Sequence, residues 1–191
     1  MLVVGPVVIW TAACASSTAT IPSATPSPSA ASTTIAPGVS VDPSELALPP
    51  YSVSTSDPLP SGISAKRVAS DVIVDDLIEN EALQRANPSL LQYADSGDAL
   101  QSEIQEIAAN RSSNISVLKI RDVVTSIQLG SKSDPNNASA QIAAIVEGKE
   151  ATEQRVGAGP LDRTTTTFDV LVWLVWSPTR TRYLLCDTAS A

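Results

Sequence analysis

The chain has 191 residues, enough for one ordinary domain with room to spare. It carries 12 basic and 20 acidic side chains, a formal net charge of −8, and no histidine. The acid excess argues against nucleic acid and anionic lipid headgroups as main partners, since both need clustered Lys and Arg, and the lack of histidine excludes the usual nucleophile–base pairs and most zinc sites.

Composition divides the chain unevenly. The first charged side chain is Asp42, the first basic one is Lys66, and nine of the 14 prolines fall between Cys14 and Ala65. Asp42, Glu45 and Asp57 precede Lys66, which leaves −5 for the segment that follows. Residues 65–191 therefore read as one domain, able to bury about 65% of its unfolded-chain surface.

Residues 1–10, MLVVGPVVIW, form an uncharged apolar run. It is half the roughly 20 residues that a membrane-spanning helix needs and has the length of a signal-peptide core. The run ends in Thr11-Ala12-Ala13-Cys14, and a polar Ser/Thr/Ala stretch follows. This arrangement resembles the bacterial lipobox. The resemblance implies that residues 1–13 are a cleaved signal peptide and that Cys14 becomes an N-terminus carrying a diacylglyceryl group and acyl chains of the palmitate kind. It implies a lipoprotein of the cell envelope, lipid-anchored on the extracytoplasmic face of the cell membrane. Each buried CH₂ contributes about 0.8 kcal/mol, and two or more chains anchor stably where one does not. A disulfide between Cys14 and Cys186 is the competing use of the two cysteines. Lipidation leaves Cys186 unpaired, in an apolar strand where it suits a buried small hydrophobe.

Residues 14–64 are rich in Ala, Ser, Thr and Pro, as in Ile21-Pro22-Ser23-Ala24-Thr25-Pro26. They show no helical or strand period and bury too little apolar surface to offset ordering, so they read as a disordered tether. The part from Val39 to Ile63, with Leu46, Leu48, Tyr51 and Val53, is less bland and suits an ordered lead-in.

From Ala65, Val68, Val72, Ile73, Leu77 and Ile78 recur at helical steps, with Asp71, Asp75, Asp76 and Glu79 assigned to a solvated face. Asn87-Pro88 interrupts, and Leu90, Leu91 and Tyr93 predict a short second helix. Ser96 or Asp98 offers an N-cap for a third, carried by Leu100, Ile104, Ile107 and Ala108 and ending near Asn110. β-branched residues then predict a strand over Val117–Leu129 with a bulge near Arg121-Asp122. Asp134-Pro135-Asn136-Asn137 is a turn. A second strand spans Ala138–Glu147, and Lys149–Val156 either extends it or forms another. After the break at Gly157-Ala158-Gly159-Pro160, Thr164–Trp176 and Arg180–Asp187 form a hairpin about Ser177-Pro178-Thr179.

Helices first and then three to four antiparallel strands predict an α+β fold, with N-terminal helices packed on one face of a curved sheet. The element order and the Trp-rich penultimate strand make residues 65–188 similar to the NTF2-like (cystatin-like α+β) superfamily. That resemblance implies a helix in the concavity of a bent sheet and, in the family's enzymes, a carboxylate inside the cone. The candidates for it on the strands are Asp122, Asp169 and Asp187, and Asp169 shares a face with Leu171, Trp173 and Val175. Trp173 and Trp176, three residues apart, point to opposite faces, one under the helices and the other toward a cavity or exposed patch. Tyr93, Asp169, Trp173 and Trp176 are thus the candidate ligand-pocket residues. Arg180 and Arg182 share a strand face, either as an anion site or as a solubilising outer surface. No catalytic residue, metal site or cofactor is singled out. The expected function is a non-catalytic module that binds an envelope protein or an apolar small ligand. The alternatives are a carboxylate-dependent isomerase or hydrolase, and a scaffold in a membrane-associated assembly.

Overall fold

The computed structural model describes residues 33–41, 51–137 and 139–190. Cys14, the apolar run before it, and Leu46 and Leu48 lie outside the described residues. The elements in chain order are β1 (Thr33–Ala36), β2 (Val39–Val41), β3 (Ser52–Thr55), α1 (Ala65–Gln84), a 3-10 helix (Pro88–Tyr93), α2 (Gly97–Ser112), β4 (Ile115–Ser131), β5 (Ile142–Val156), β6 (Leu161–Ser177) and β7 (Arg182–Ser190). The chain is therefore α+β, with helices on one face of a sheet, as the periodicity predicts.

The sheet has five strands in the order β3-β4-β5-β6-β7, against the three to four expected. The fifth is β3, which lies within the segment read as tether and runs parallel to β4, with Val53 beside Ile127. Tyr51, Leu59 and Ile63 pack on the main core behind it. Lys149–Val156 extends the second strand rather than forming another, giving the 15-residue β5. The bulge expected at Arg121-Asp122 is split into two register shifts on either side, between Val117 and Lys119 and between Val124 and Ser126. Such shifts bend a strand and increase its twist. At the far edge, residues 94–96 cover β7, with Ser96 N donating to Leu185 O at 2.8 Å and Leu185 N to Ala94 O at 3.1 Å. Ser96 stands at the N-cap of α2 without capping it, because its Oγ donates to Leu185 O instead.

α1 starts where Ser64 Oγ accepts the Arg67 N–H. Its Val68, Ala69, Val72 and Ile73 bury against Ile127, Leu129, Ile142, Ala144, Val172 and Leu174 of the sheet. Its Ile78 and Ala82 face away from that layer, into a second cluster with Leu90, Leu91 and Ile107. The β1–β2 ribbon closes this back layer with Ala36 and Val39, and Arg85 Nη2 donates to Gly38 O at 3.0 Å. α1 is thus covered on both sides.

Gly148 marks the tightest backbone approach in the sheet. A Cβ there would lie 2.7 Å from Val123 O and would overlap the Phe168 ring. Gly148→Ala is expected to destabilise by about 1–3 kcal/mol, since neither backbone nor packed ring yields easily. Thermal melts check this, and an unchanged Tm would show that β4 and β5 relax freely at that point.

Candidate functional site

Burial of α1 on both sides corrects the reading of its acids as a solvated face. Asp75 is fully buried, with Arg182 Nη2 of β7 2.7 Å from its Oδ1. Burial holds Asp75 well above the ordinary carboxylate range, against the opposing pull of the Arg182 charge. Arg182 also donates to the Tyr93 carbonyl, so it is neither an anion site nor an outer solubilising residue. Asp71, one turn earlier, accepts the Tyr183 N–H at 3.0 Å.

Two carboxyl pairs lie further along α1. Asp76 faces Asp122 of β4, with Asn80 Nδ2 donating to Asp122 Oδ2 at 3.0 Å and to Asp76 Oδ2 at 3.5 Å. Glu79 faces Asp95, whose oxygens are buried without another donor among the described residues. Desolvation first, and then the negative neighbours, push Asp76 and Glu79 well above their usual values. Burial raises Asp95 to about 7 and Glu103 of α2 to about 8. Raised values of this kind let such carboxyls hold protons at neutral pH. Among the described residues no cluster of His, Cys, Asp and Glu is arranged to hold a metal ion.

The four candidate pocket residues do not converge. Trp173 is buried on the outer face of the sheet with Ala140, Ala143 and Cys186. The loop over residues 132–141 folds across it, placing Lys132 Nζ 6.0 Å from the Trp173 ring and Asp134 beside Cys186. Among the described residues Cys186 has no disulfide partner, and burial pushes its thiol up to about 12, which suits a buried small hydrophobe. Asp169 is exposed on that outer face, across from Glu147, and Asp187 of the same face accepts from Asn136. Of the three candidate carboxylates Asp122, Asp169 and Asp187, Asp122 alone points toward the helices, where Glu150 stands opposite it on β5.

Trp176 and Tyr93 lie at the other place of interest, the β6–β7 hairpin. Trp176 is on the helix-facing side but past the first turn of α1, so 42% of it is exposed. It packs edge-on to Tyr183, centroids 5.3 Å apart, with the Arg67 guanidinium 5.2 Å from its ring. Arg180 lies 3.8 Å over the ring of Tyr93. Both arginine–aromatic stacks are explained by cation–π attraction, and the aromatic under Arg180 comes from the 3-10 helix. A cavity of about 270 Å³ sits at the opposite end, bordered by Leu83, Arg85, Ile107, Arg111, Ile115 and Val117, and contains none of the sequence-derived candidates.

No family model matches the chain, and no curated protein matches it. Among solved structures it is similar to the crystal structure of the intermembrane space region of the chloroplast protein ARC6, at 14% identity and a TM-score of 0.48, over 64% of this chain and 93% of that one.

Proposed function

We propose that this chain is an exported lipoprotein, held on the extracytoplasmic face of the cell membrane by acyl chains on Cys14, whose domain is a non-catalytic module that binds another envelope protein. The supporting observation is the state of Asp122, the candidate carboxylate on the helix side of the sheet: it is engaged by Asn80 and faced by Asp76 instead of standing free to act as a base. The long helix across a bulged sheet is also what supports NTF2-like kinship. A protein partner is favoured over an apolar small ligand because Trp176, 42% exposed, lies open on the surface beside Arg67 and not in an enclosed pocket.

Two experiments test this reading. Cys14→Ser is expected to move the protein from the membrane fraction to the soluble extracytoplasmic fraction; retention in the membrane would refute the lipid anchor. Affinity capture from envelope extracts with the full chain, read by mass spectrometry, should return a specific protein. Recovery of a metabolite or lipid and no protein would overturn the partner assignment.

A further inference from the structure

We infer that the β6–β7 hairpin end is a docking surface for an acidic peptide segment of the partner, a deepening that rests on the binding role proposed above. In a chain with 20 acidic and 12 basic side chains, this end concentrates cations around an exposed aromatic ring. Neither Arg67 nor Arg180 forms an ion pair among the described residues. Each is instead laid against a ring, Trp176 or Tyr93, which orients the guanidinium and leaves in-plane N–H donors for a carboxylate. Arg67 uses one of them on Thr181 O at 2.5 Å. That contact supports a β-branched residue at φ +54°, a left-handed conformation that costs energy and that places the hairpin turn over the arginine.

The start of α1 adds to the same field. Its first turn carries Lys66 and Arg67 and no acid, although the partial positive charge of a helix start favours carboxylates there. The arrangement is repulsive alone and is relieved by a bound anion. The carboxylates nearest on α1 are engaged inside the domain, Asp71 by the Tyr183 N–H and Asp75 by Arg182. The occupant that fits is a short stretch with Asp or Glu side chains flanking an apolar residue that covers the open face of Trp176. A flat anionic membrane fits less well, since it needs Lys and Arg clustered over a wide face and the chain carries 20 acidic against 12 basic side chains. A peptide touches the patch alone.

Titration calorimetry on the full chain in detergent, at low salt, tests this with a short Glu-rich peptide bearing one central Leu. The expected results are saturable binding that weakens with salt and falls by about tenfold or more in the Arg67→Ala/Arg180→Ala double variant, while Arg163→Ala on the distant β6 arm leaves it unchanged. Equal affinity in the double variant, no binding, or binding only to phosphatidylglycerol/phosphatidylcholine vesicles would overturn the assignment. Should the peptide fail while the wild-type chain still captures an envelope protein, the binding role stands and this surface is wrong. If capture also returns nothing, the binding role itself falls.

Discussion

Arg182→Met should destabilise the domain by about 3–5 kcal/mol, the range seen when one partner of a buried ion pair is removed. Asp75 is fully buried, and among the described residues Arg182 is the cation that pairs with it. Loss of that charge leaves the carboxylate facing Glu79 and Asp71, both of which act to raise its pKa further. The variant escapes part of the penalty by keeping Asp75 protonated, so the loss should be larger at pH 8 than at pH 5. A second substitution, Asp75→Leu in the Arg182→Met background, should restore much of the stability, because an apolar pair in a packed core carries no uncompensated charge. Denaturant titrations of the single and double variants check both statements. A loss of under about 1 kcal/mol in Arg182→Met would mean that the pair is solvated and contributes little.

Stability should also fall as pH rises from 5 to 8, the reverse of ordinary acid unfolding. The carboxyls of Asp76, Glu79, Asp95 and Glu103 have folded pKa values above their unfolded ones. Between the unfolded value near 4 and the folded value, the folded chain holds protons that the unfolded chain has lost. Folding then takes up protons, and unfolding becomes easier as pH climbs. For Asp95, raised from 3.8 to about 7 and 2% exposed, the shift corresponds to about 4 kcal/mol lost by the time pH passes the folded value. Glu79→Gln keeps a neutral donor facing Asp95 and removes one titrating group. It should raise Tm at pH 8 and flatten the slope between pH 5 and 8. A wild-type Tm that increases with pH across this window would mean that the carboxyls are open to water and ionised.

The elements that rest on local pattern were legible. Alternation and turn chemistry locate β4 to β7 to within a few residues, because each strand pairs with its neighbour through a short connection. β3 was not legible as a strand of the sheet. Ser52–Thr55 is four residues long and finds its partner at Ser126–Leu129 without any local turn to announce the pairing. The acids of α1 were misplaced for a related reason. Val68, Val72, Ile73, Leu77 and Ile78 suggest a single apolar stripe, yet with Val74 they reach around most of the helix, the pattern of a helix buried on several sides. The matching signal is Arg182, the arginine that directly precedes the apolar stretch Tyr183-Leu184-Leu185-Cys186. The faces of Trp173 and Trp176 followed from their spacing, but their burial is the reverse of what a one-sided sheet suggests. A loop 40 residues upstream covers Trp173, as the Lys132 contact shows, while α1 begins too late to cover Trp176. Long-range cover of that kind leaves no mark in local periodicity.

Intact-mass analysis of the full chain recovered from envelope membranes tests the lipid-anchored reading most directly. The mass should correspond to a polypeptide beginning at Cys14 and bearing a diacylglyceryl group with its acyl chains. An unmodified polypeptide that retains Met1, recovered from the soluble intracellular fraction, would contradict it.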